Sequence, residues 1–304
     1  MTSPHTLQDA YGPGNVLFRV LEPMGWGDLL NLGYWTPGTL PVLPAAGLGP
    51  FQRRLVARST ALLGLTPRDT VLDAACGRGY SSHVMAGQGS RVTGVDLLTA
   101  HVAQAQRRFG GRPGLRFTTG DLTALRRPPS GNGHRPFPDG SFTRVHCLEA
   151  AFHLGPEGRR AFLEDAYELL APGGRLVLVD FVWRTGDPAG IAAADPGRLV
   201  RDTWRFEAFE PLAGYHGHAL DIGFRIRRTL DWTRPVTGRF LRLAHLCAGL
   251  SGTRAGRRLL CRRWPALSTL SGQDWVHFAA VIHAHTAVQR ASGYAALVLD
   301  RPES

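Results

Sequence analysis

Residues 71–82 read VLDAACGRGYSS, and this stretch decides the fold class. Four residues of strand character, Val71 to Ala74, run into a glycine-rich bend and then into a segment that favours a helix. A strand, a glycine bend and a helix N-terminus together form a common nucleotide-binding unit. Two residues are unexpected in such a unit: the acid Asp73, and Ala75 in the place of a further glycine.

Strand and helix patterns alternate from residue 71 to about residue 183. Strands are predicted at 71–75, 91–96, 115–121, 141–149, 175–182, 222–232 and 294–299. The stretch RLVLVDFV at 175–182 is nearly all apolar, which is typical of a strand covered on both faces. The alternation predicts an α/β fold: a Rossmann-like, doubly wound, mostly parallel seven-stranded sheet with right-handed crossovers.

The sequence patterns divide the chain into a core and further segments. Residues 61–183 are the predicted core. Residues 184–222 are rich in Trp, Phe and Pro, and are expected to form a helical and aromatic lid inserted into the core. Residues 223–304 complete the sheet, with a basic helical insertion at 236–272 and a final strand. The stretch RRPPSGNGHRP at 126–136 is predicted to be a surface loop.

The charge of the chain does not by itself indicate a nucleic-acid partner. The formal net charge is +11, but all 35 basic residues are Arg. Together with 37 Gly and 21 Pro, this composition is typical of codon bias in a GC-rich genome. The densest cluster, RAGRRLLCRR at 254–263, is expected to be a solvated helix face.

Membrane, secreted and metal-binding classes are disfavoured. No apolar run approaches the roughly 18 residues that span a bilayer, and the N-terminus has no secretory pattern, so a cytoplasmic location without a membrane span is expected. The four cysteines form no C-x-x-C pair, and His216 and His218 lack a further ligand at useful spacing, so no metal site is predicted and this histidine pair is expected in a surface loop.

The glycine bend does not match a dinucleotide site well. Gly77 and Gly79 are followed by Ser82 in the third position of a G-x-G-x-x-G pattern, so the match is imperfect. A pyrophosphate at the helix N-terminus would be repelled by Asp73. A carboxylate there favours a ligand with a cationic end, such as S-adenosylmethionine with its ammonium and sulfonium groups.

Two further acids end the neighbouring predicted strands. Asp96, after the second strand, can accept hydrogen bonds from both ribose hydroxyls of a nucleoside. Asp121, after the third, lies where an adenine amino group can be recognised. The acids therefore favour an adenosyl ligand without a pyrophosphate.

The sequence resembles the class I S-adenosylmethionine-dependent methyltransferases. Within them it is similar to the small-molecule branch that includes sterol and tocopherol C-methyltransferases and actinobacterial natural-product enzymes. The resemblance covers nearly the whole chain and is carried by NLGYW (31–35), VLDAACGRG (71–79), VTGVD (92–96), GDL (120–122), FPDGSFTRVHCLEAAFH (137–153), LLAPGGRLVLVDF (169–181) and IGFRI (222–226). It implies that residues 1–60 form an N-terminal cap over the cofactor.

The resemblance implies S-adenosyl-L-methionine as cofactor and S-adenosyl-L-homocysteine as product. The implied cofactor-binding residues are Tyr34, Asp73, Ala75, Gly77, Gly79, Asp96, Leu97, Asp121 and Leu122. Tyr34 is expected to face the methionine end, with a core aromatic pair of Tyr34 and Trp35 as the alternative. Ala75 stands where the family has glycine, and its methyl group fits if the backbone needs no positive φ.

The stretch LEAAFHL at 148–154 follows the fourth predicted strand and offers two catalytic candidates. Glu149 and His153 are four residues apart, so one helical turn would place them on the same side. Glu149 can stabilise a carbocation formed by methylating an alkene and then accept its proton, whereas His153 can deprotonate a hydroxyl. The alternative is that Glu149 orders the loop and His153 is a pocket wall.

Aromatic residues around the predicted lid can exclude water and hold an apolar acceptor. The candidates for substrate binding are Trp183, Trp204, Phe206 and Tyr215. The sequence thus predicts a methyltransferase that acts on a small, largely apolar metabolite in specialised metabolism, with C-methylation favoured over O-methylation because of Glu149.

Two alternatives remain open at this point. One is a cyclase on the methyltransferase fold that retains the cofactor, because an aromatic lid serves cyclisation equally well. The other is a basic nucleic-acid-binding protein, for which the sequence shows no recognition motif. The expected partner is a small-molecule acceptor and no nucleic acid, and the sequence permits a homodimer.

Overall fold

The computed structural model describes residues 10–12, 14–26, 29–36, 46–127, 136–184, 187 and 189–303. Most of the surface loop predicted at 126–136 lies outside these residues. Among the described residues, no helix has the length and apolar character that crossing a membrane requires.

The centre of the fold is a single sheet. Its strands are β1 (Thr70–Ala74), β2 (Arg91–Asp96), β3 (Leu115–Thr119), β4 (Phe142–Leu148), β5 (Leu170–Trp183), β6 (Glu210–Pro211), β7 (Arg225–Asp231) and β8 (Ser292–Asp300). Their order is β3-β2-β1-β4-β5-β8-β7, and β6 pairs with the end of β5. The first five strands are parallel, and β8 runs antiparallel to β5 and β7. The seven predicted strands are therefore confirmed, and the two-residue β6 is an addition.

The described helices surround this sheet. They are α1 (Val16–Leu21), α2 (Gly49–Ala61), α3 (Tyr80–Ala86), α4 (Thr99–Phe109), α5 (Gly155–Leu169), α6 (Ala189–Ala194), α7 (Leu199–Trp204), α8 (Leu212–Ile222), α9 (Arg239–Ser251), α10 (Arg254–Arg263) and α11 (Gly272–Ala291).

The topology brings three loops to one edge. Ala74 in β1 lies between Val95 of β2 and Cys147 of β4 in the parallel register. The chain order reverses here, since β2 lies on one side of β1 and β4 on the other. Ligands of open α/β sheets bind at such a switch point, beyond the carboxyl ends of the strands. The loops after β1, β2 and β4 therefore define the expected site.

A helical layer forms a second core beside the sheet. Helices α1, α9, α10 and α11 bury aromatic and aliphatic side chains against one another and against the N-terminal segment, including Trp26, Phe240 and Phe278. The basic segment predicted at 236–272 is helical, and its arginines at 254, 258, 262 and 263 are exposed, as expected for a solvated face. This layer covers the side of the sheet edge on which the site is expected.

The segment predicted as a lid, 184–222, has two structural parts. Helices α6 and α7 pack toward α11, whereas α8 packs on α5 and contributes Tyr215 to the core of the sheet. His216 and His218 lie on α8, not in a loop, which corrects that part of the prediction. His216 Nε2 is 2.9 Å from the Thr229 hydroxyl, and the described residues contain no metal-binding cluster.

Trp35 occupies a core position. Its side chain is fully buried and stacks on Phe51 with ring centroids 3.8 Å apart, while its indole N–H donates to the Leu32 carbonyl at 2.8 Å. We expect Trp35→Ala to lower the free energy of unfolding by about 3–5 kcal/mol, because it opens a large cavity. Urea denaturation measures this loss. A variant with wild-type stability would contradict the core assignment.

Candidate active site

The acid of the glycine bend points inward. The Asp73 carboxylate is 1% exposed and accepts hydrogen bonds from the hydroxyls of Ser81 at 2.6 Å and Ser82 at 2.5 Å. Its other oxygen is 2.8 Å from His146 Nδ1 on β4. These partners tie the bend to the first turn of α3 and to the neighbouring strand. Asp73 therefore orders the bend from below and does not line the cleft, which differs from the predicted contact with a cationic ligand.

The hydrogen bonds from Asp73 through His146 extend to Ser59 on α2, whose hydroxyl is 3.0 Å from His146 Nε2. The connectivity is that of a Ser-His-Asp triad. However, Ser59 and His146 are fully buried, and none of the three lines a pocket. A nucleophile must reach its substrate, so this chain of hydrogen bonds is structural.

The backbone of the bend is left-handed at three places. Ala75 has φ +59°, Gly77 φ +52° and Gly79 φ +86°. The condition under which Ala75 would be neutral, a backbone without positive φ, is not met. A Cβ on Gly79 would clash with Ala105 and Phe117, whereas one on Gly77 would meet nothing within 4 Å. Gly77 therefore presents bare backbone to open space at the cleft, and Gly79 serves helix packing.

A cleft lined by acids, histidines and aliphatic side chains opens beyond the carboxyl ends of β1, β2, β3 and β4. Its empty volume is about 720 Å³, part of it open to solvent. The Asp96 carboxylate accepts from the backbone N–H groups of Gly77 at 2.8 Å and Leu98 at 3.0 Å, and lies 3.3 Å from His101 Nδ1. Asp121 accepts from the Thr123 N–H at 2.8 Å. The bond to Gly77 links the acid after β2 to the bend after β1.

The cleft brings together most of the predicted cofactor residues. Those that line it are Ala75, Gly77, Asp96, Leu97, Asp121 and Leu122. Tyr34 does not: its ring packs edge-to-face on Trp232 at 5.5 Å, with the Arg58 guanidinium 5.2 Å from its centroid. Tyr34 is half-buried and packs on the buried Trp232, whereas Trp35 stacks on Phe51, so the two residues do not form the core aromatic pair of the alternative.

Glu149 follows β4 and lies at the inner wall of the cleft. Its backbone is left-handed, with φ +52°, and its side chain is 9% exposed. The carboxylate accepts from the Tyr294 hydroxyl at 2.6 Å and from the Leu32 N–H, 3.2 Å from both oxygens. Burial raises the pKa of Glu149 to about 8, although these hydrogen bonds lower it. At neutral pH the group therefore carries a proton most of the time.

Asp180 on β5 holds the turn that carries the catalytic candidates. Its carboxylate is fully buried and accepts from the backbone N–H groups of Phe152 at 2.7 Å and Phe181 at 2.8 Å. The predicted helical turn is present only in part, since a 3₁₀ turn at Ala151–His153 begins after Glu149. Burial raises the pKa of Asp180 to about 7.

His153 at the end of this turn meets the N-terminal segment. Its Nε2 is 2.9 Å from the hydroxyl of Tyr11, which is 142 residues away in sequence. Burial lowers the pKa of His153 to about 4, although a hydrogen bond with the backbone of Arg205 raises it. Burial also raises the pKa of Tyr11 above its usual value. The pair is therefore a neutral imidazole next to a protonated phenol.

A large apolar cavity lies on the other side of Glu149. It has an empty volume of about 1040 Å³, which includes open solvent at its mouth. Its walls come from the N-terminal segment, the turn after β4, and helices α7, α9 and α11. Glu149 is the one carboxylate in the described lining, and no arginine lines it. Such a space fits an uncharged, largely apolar molecule.

Two of the four predicted substrate residues line this cavity. Trp204 and Phe206 do so, and the Trp204 indole N–H donates to His285 Nε2 at 2.8 Å. Trp183 and Tyr215 are buried elsewhere, with the Tyr215 hydroxyl 3.4 Å from Asp180. The structure therefore does not support a substrate contact for these two residues. Tyr215 lies on the face of α8 that packs into the core of the sheet. Trp183 is on the same face of β5 as Phe181, and packs with Phe152 and Phe206 behind the cavity wall.

The cleft and the cavity share three lining residues, Tyr11, Leu30 and Glu149. Two polar groups, the Tyr11 hydroxyl and the Glu149 carboxyl, therefore lie where the two spaces meet, and His153 lines the cleft beside them. A ligand in the cleft and another in the cavity would approach each other at this junction.

Sequence reasoning missed Tyr11, His101, Asp180 and Tyr294. His101 lies in the first turn of α4, directly after the loop that begins at Asp96, so its position offered a signal. An acid within an all-apolar strand offered another at Asp180, because an unpaired buried charge is costly. Tyr11 and Tyr294 carried no local signal, since their partners are distant in sequence.

The sequence and the fold of this chain both match those of known proteins. A family model described as a methyltransferase domain matches residues 71–174. The erythromycin 3''-O-methyltransferase of Saccharopolyspora erythraea is 33% identical over 161 residues, which are 51% of this chain and 47% of that protein. The 27-O-demethylrifamycin SV methyltransferase of Amycolatopsis mediterranei is 31% identical over 242 residues, 77% of this chain and 81% of that protein. The match thus spans about half the length of the first relative.

Solved structures share the fold at low sequence identity. The [4+2]-cyclase SpnF has 19% identity and a TM-score of 0.67, with 100% of this chain and 97% of that chain covered. The geranyl diphosphate C-methyltransferase of Streptomyces coelicolor has 20% identity and a TM-score of 0.61, with 89% of this chain and 91% of that chain covered.

The left-handed backbone of Ala75 gives a stability prediction. An L-residue pays about 1–2 kcal/mol in this conformation, and glycine pays about 0.5–1 kcal/mol more chain entropy. We therefore expect Ala75→Gly to keep or raise the free energy of unfolding, by up to about 1 kcal/mol. The matched control, Ala74→Gly in buried β1, should lose about 1 kcal/mol or more. Equal losses in both variants, measured by urea denaturation, would refute the strain at Ala75.

Proposed function

Because this chain belongs to the family of class I S-adenosylmethionine-dependent methyltransferases, we propose that it methylates a hydroxyl oxygen of a small, apolar, uncharged acceptor. One observation carries the proposal. A phenol hydroxyl and a buried carboxyl lie where the cleft of the strand-end acids meets an apolar cavity, and a neutral imidazole lies beside them in the cleft.

The residues of the cleft fit the adenosyl cofactor. Gly77 leaves open space where a Cβ would stand, so a ligand can approach its backbone closely. Asp96 ends β2 and faces the same cleft, where its oxygens can accept from ribose hydroxyls, while Asp121 and Leu122 border the position proposed for adenine. When bound, S-adenosylmethionine supplies an electrophilic methyl group on a sulfonium sulfur.

The cavity selects the acceptor. A phosphate or carboxylate would need a cationic partner there, and the described lining has no arginine. Aromatic and aliphatic walls exclude water from the junction, which strengthens the electrostatic interactions within it. The acceptor is therefore uncharged and is bound mainly through burial of apolar surface.

The protonation state of the His153 ring favours oxygen as the methylated atom. With a pKa of about 4 its ring is neutral at physiological pH and can accept a proton. The Tyr11 hydroxyl, 2.9 Å from Nε2, marks a place where a hydroxyl group hydrogen-bonds to this nitrogen. Two relatives named in the comparison also carry an oxygen position in their names. His153 is the proposed base, and Tyr11 orients the acceptor hydroxyl.

Carbon methylation is the second candidate, and one observation favours it. Glu149 lines both spaces, as a group that receives a proton from a carbocation must. Against this role, the Glu149 carboxyl has a pKa of about 8 and is already bound by Tyr294 and Leu32. We therefore assign Glu149 to holding the N-terminal segment against the sheet.

The cofactor assignment is tested by Asp96→Ala. Loss of the charge-assisted bonds to the ribose should weaken binding of S-adenosylhomocysteine by about 2–4 kcal/mol. Isothermal titration calorimetry measures the affinity, and Asp139→Ala, an exposed acid paired with Arg126, is the control. Unchanged affinity in Asp96→Ala, or tight binding of NAD by the wild type, would refute the assignment.

The two chemistries are separated by His153→Gln and Glu149→Gln. If His153 is the base, its variant should lose roughly 10²- to 10⁴-fold in kcat, and Glu149→Gln should be mild because it keeps shape and hydrogen bonds. The acceptor for this assay is the compound that accumulates without its methyl group in a deletion strain. The reverse order of effects would establish the carbon-methylation route.

The pH dependence of kcat/KM provides an independent test. A base acts only when deprotonated, so its activity is present above its pKa. With His153 at about 4, the rate should be flat from pH 6 to 9 as far as this group is concerned. With Glu149 as base, the rate should rise through about pH 8. A rise through pH 8 that Glu149→Gln abolishes would contradict the proposal.

Two simple experiments test the two alternative functions. Turnover that continues when S-adenosylhomocysteine replaces the methyl donor would mean that the protein is a cyclase. Retention on DNA with a steep dependence on salt would favour a nucleic-acid-binding protein.

A further inference from the structure

A small group of neutral polar side chains lines the otherwise apolar cavity. Gln289 lies near the end of α11, and Ser292 begins β8 directly after it. Thr237, in the turn before α9, lies on the same wall, since a Cβ on the adjacent Gly238 would lie 3.5 Å from Gln289 Nε2. The proposed methyl transfer at the junction makes no use of these residues.

Gln289 and Ser292 differ from the other polar groups of the lining. His285 is bound on both ring nitrogens, and the Thr237 hydroxyl donates to the Thr233 carbonyl at 3.0 Å. By contrast, the Gln289 amide and the Ser292 hydroxyl have no hydrogen-bond partner in the part of the chain that the structure describes. Gln289 is half-buried and Ser292 is buried. A ligand that fills the cavity takes both groups out of water, which costs free energy unless the ligand bonds to them. A ligand in the cavity can supply the missing bonds.

The position of this group relative to the junction follows from β8. Ser292 and Tyr294 are two residues apart, so they lie on the same face of the strand, about 7 Å apart. Tyr294 donates to Glu149 at the junction. Gln289 precedes Ser292 by three residues, which places it one helical turn farther along. The two groups are therefore set back from the junction along the chain, at the start of β8 and in the last turn of α11.

We propose that Gln289 and Ser292 form a second recognition site, which binds a neutral oxygen function of the acceptor remote from the methylated oxygen. The amide both donates and accepts, and so does the hydroxyl, so a hydroxyl or a carbonyl group fits. A charged group does not fit, because no arginine lines the cavity among the described residues and Glu149 is its one carboxylate.

This proposal rests on the proposed function and narrows its substrate class. The acceptor is an apolar molecule with two separate neutral oxygen functions, one at the junction and one at Gln289 and Ser292. A site with unpaired polar groups discriminates against ligands that lack the matching oxygen, because those groups then stay unbonded.

Two probes of one skeleton test the second site. Bisphenol A carries a hydroxyl at each end, and para-cumylphenol lacks one of them. With S-adenosylhomocysteine present, calorimetry should show that the wild type binds bisphenol A roughly 3- to 10-fold more tightly. Gln289→Leu should reduce this ratio to about twofold or less, the statistical advantage of a symmetrical diol. Gln273→Leu, the same change at an exposed position of α11, is the matched control and should keep the wild-type ratio.

The results distinguish failure of the second site from failure of the proposed methyl transfer. Equal binding of both probes by the wild type, binding of neither, or a wild-type ratio in Gln289→Leu would overturn the second site. The ratio needs no methyl transfer, so a protein that keeps it but shows no turnover refutes only the proposed function. His153→Gln should keep the ratio, since the second site is remote from the junction.

Discussion

The bonding of the Glu149 carboxyl group is the constraint on which the site depends. The side chain accepts from Tyr294 on β8 and from the backbone of Leu32 in the N-terminal segment, so it joins the sheet to that segment. Its left-handed backbone stores about 1–2 kcal/mol of strain. The surrounding bonds hold this strained backbone in place. Without this connection the N-terminal segment would lose a polar contact to the sheet edge, and the wall between cleft and cavity would lose its position.

The same burial gives two neighbouring groups opposite pKa shifts. Low polarity disfavours charge, so it raises the pKa of Glu149 to about 8 and lowers that of His153 to about 4. At neutral pH both are mostly uncharged, one with its proton and the other without. This division agrees with the proposed roles, in which His153 accepts a proton from the acceptor hydroxyl and Glu149 holds Leu32 and Tyr294 by hydrogen bonds. It also keeps the junction free of fixed charge, which suits an apolar acceptor.

The sequence predicted the sheet because its signals are local. Apolar runs, glycine bends and terminal acids each lie within a few residues, and parallel strand ends must meet at one edge. Six of the nine predicted cofactor residues line the cleft for that reason. Asp73 does not, because nothing in the sequence indicates that Ser81, Ser82 and His146 occupy its carboxylate.

Long-range contacts set the remaining parts of the site. Tyr11 reaches His153 across 142 residues, and Tyr294 reaches Glu149 across 145. No spacing rule connects such pairs, so the phenol beside His153 could be found only in the folded chain. Trp183 and Tyr215 show that composition alone does not identify substrate-binding residues. An aromatic residue in a segment predicted to bind substrate can be core, since composition does not specify which face of an element it occupies.

The central claim is that the cleft holds the cofactor and opens to the acceptor cavity at Glu149, Tyr11 and Leu30. A crystal structure with bound S-adenosylhomocysteine is the decisive measurement. We expect the ribose hydroxyls to contact Asp96, the homocysteine end to lie along Gly77, and the sulfur to point to the junction with the cavity. A cofactor bound away from Asp96, or one whose sulfur points away from the cavity, would contradict this claim.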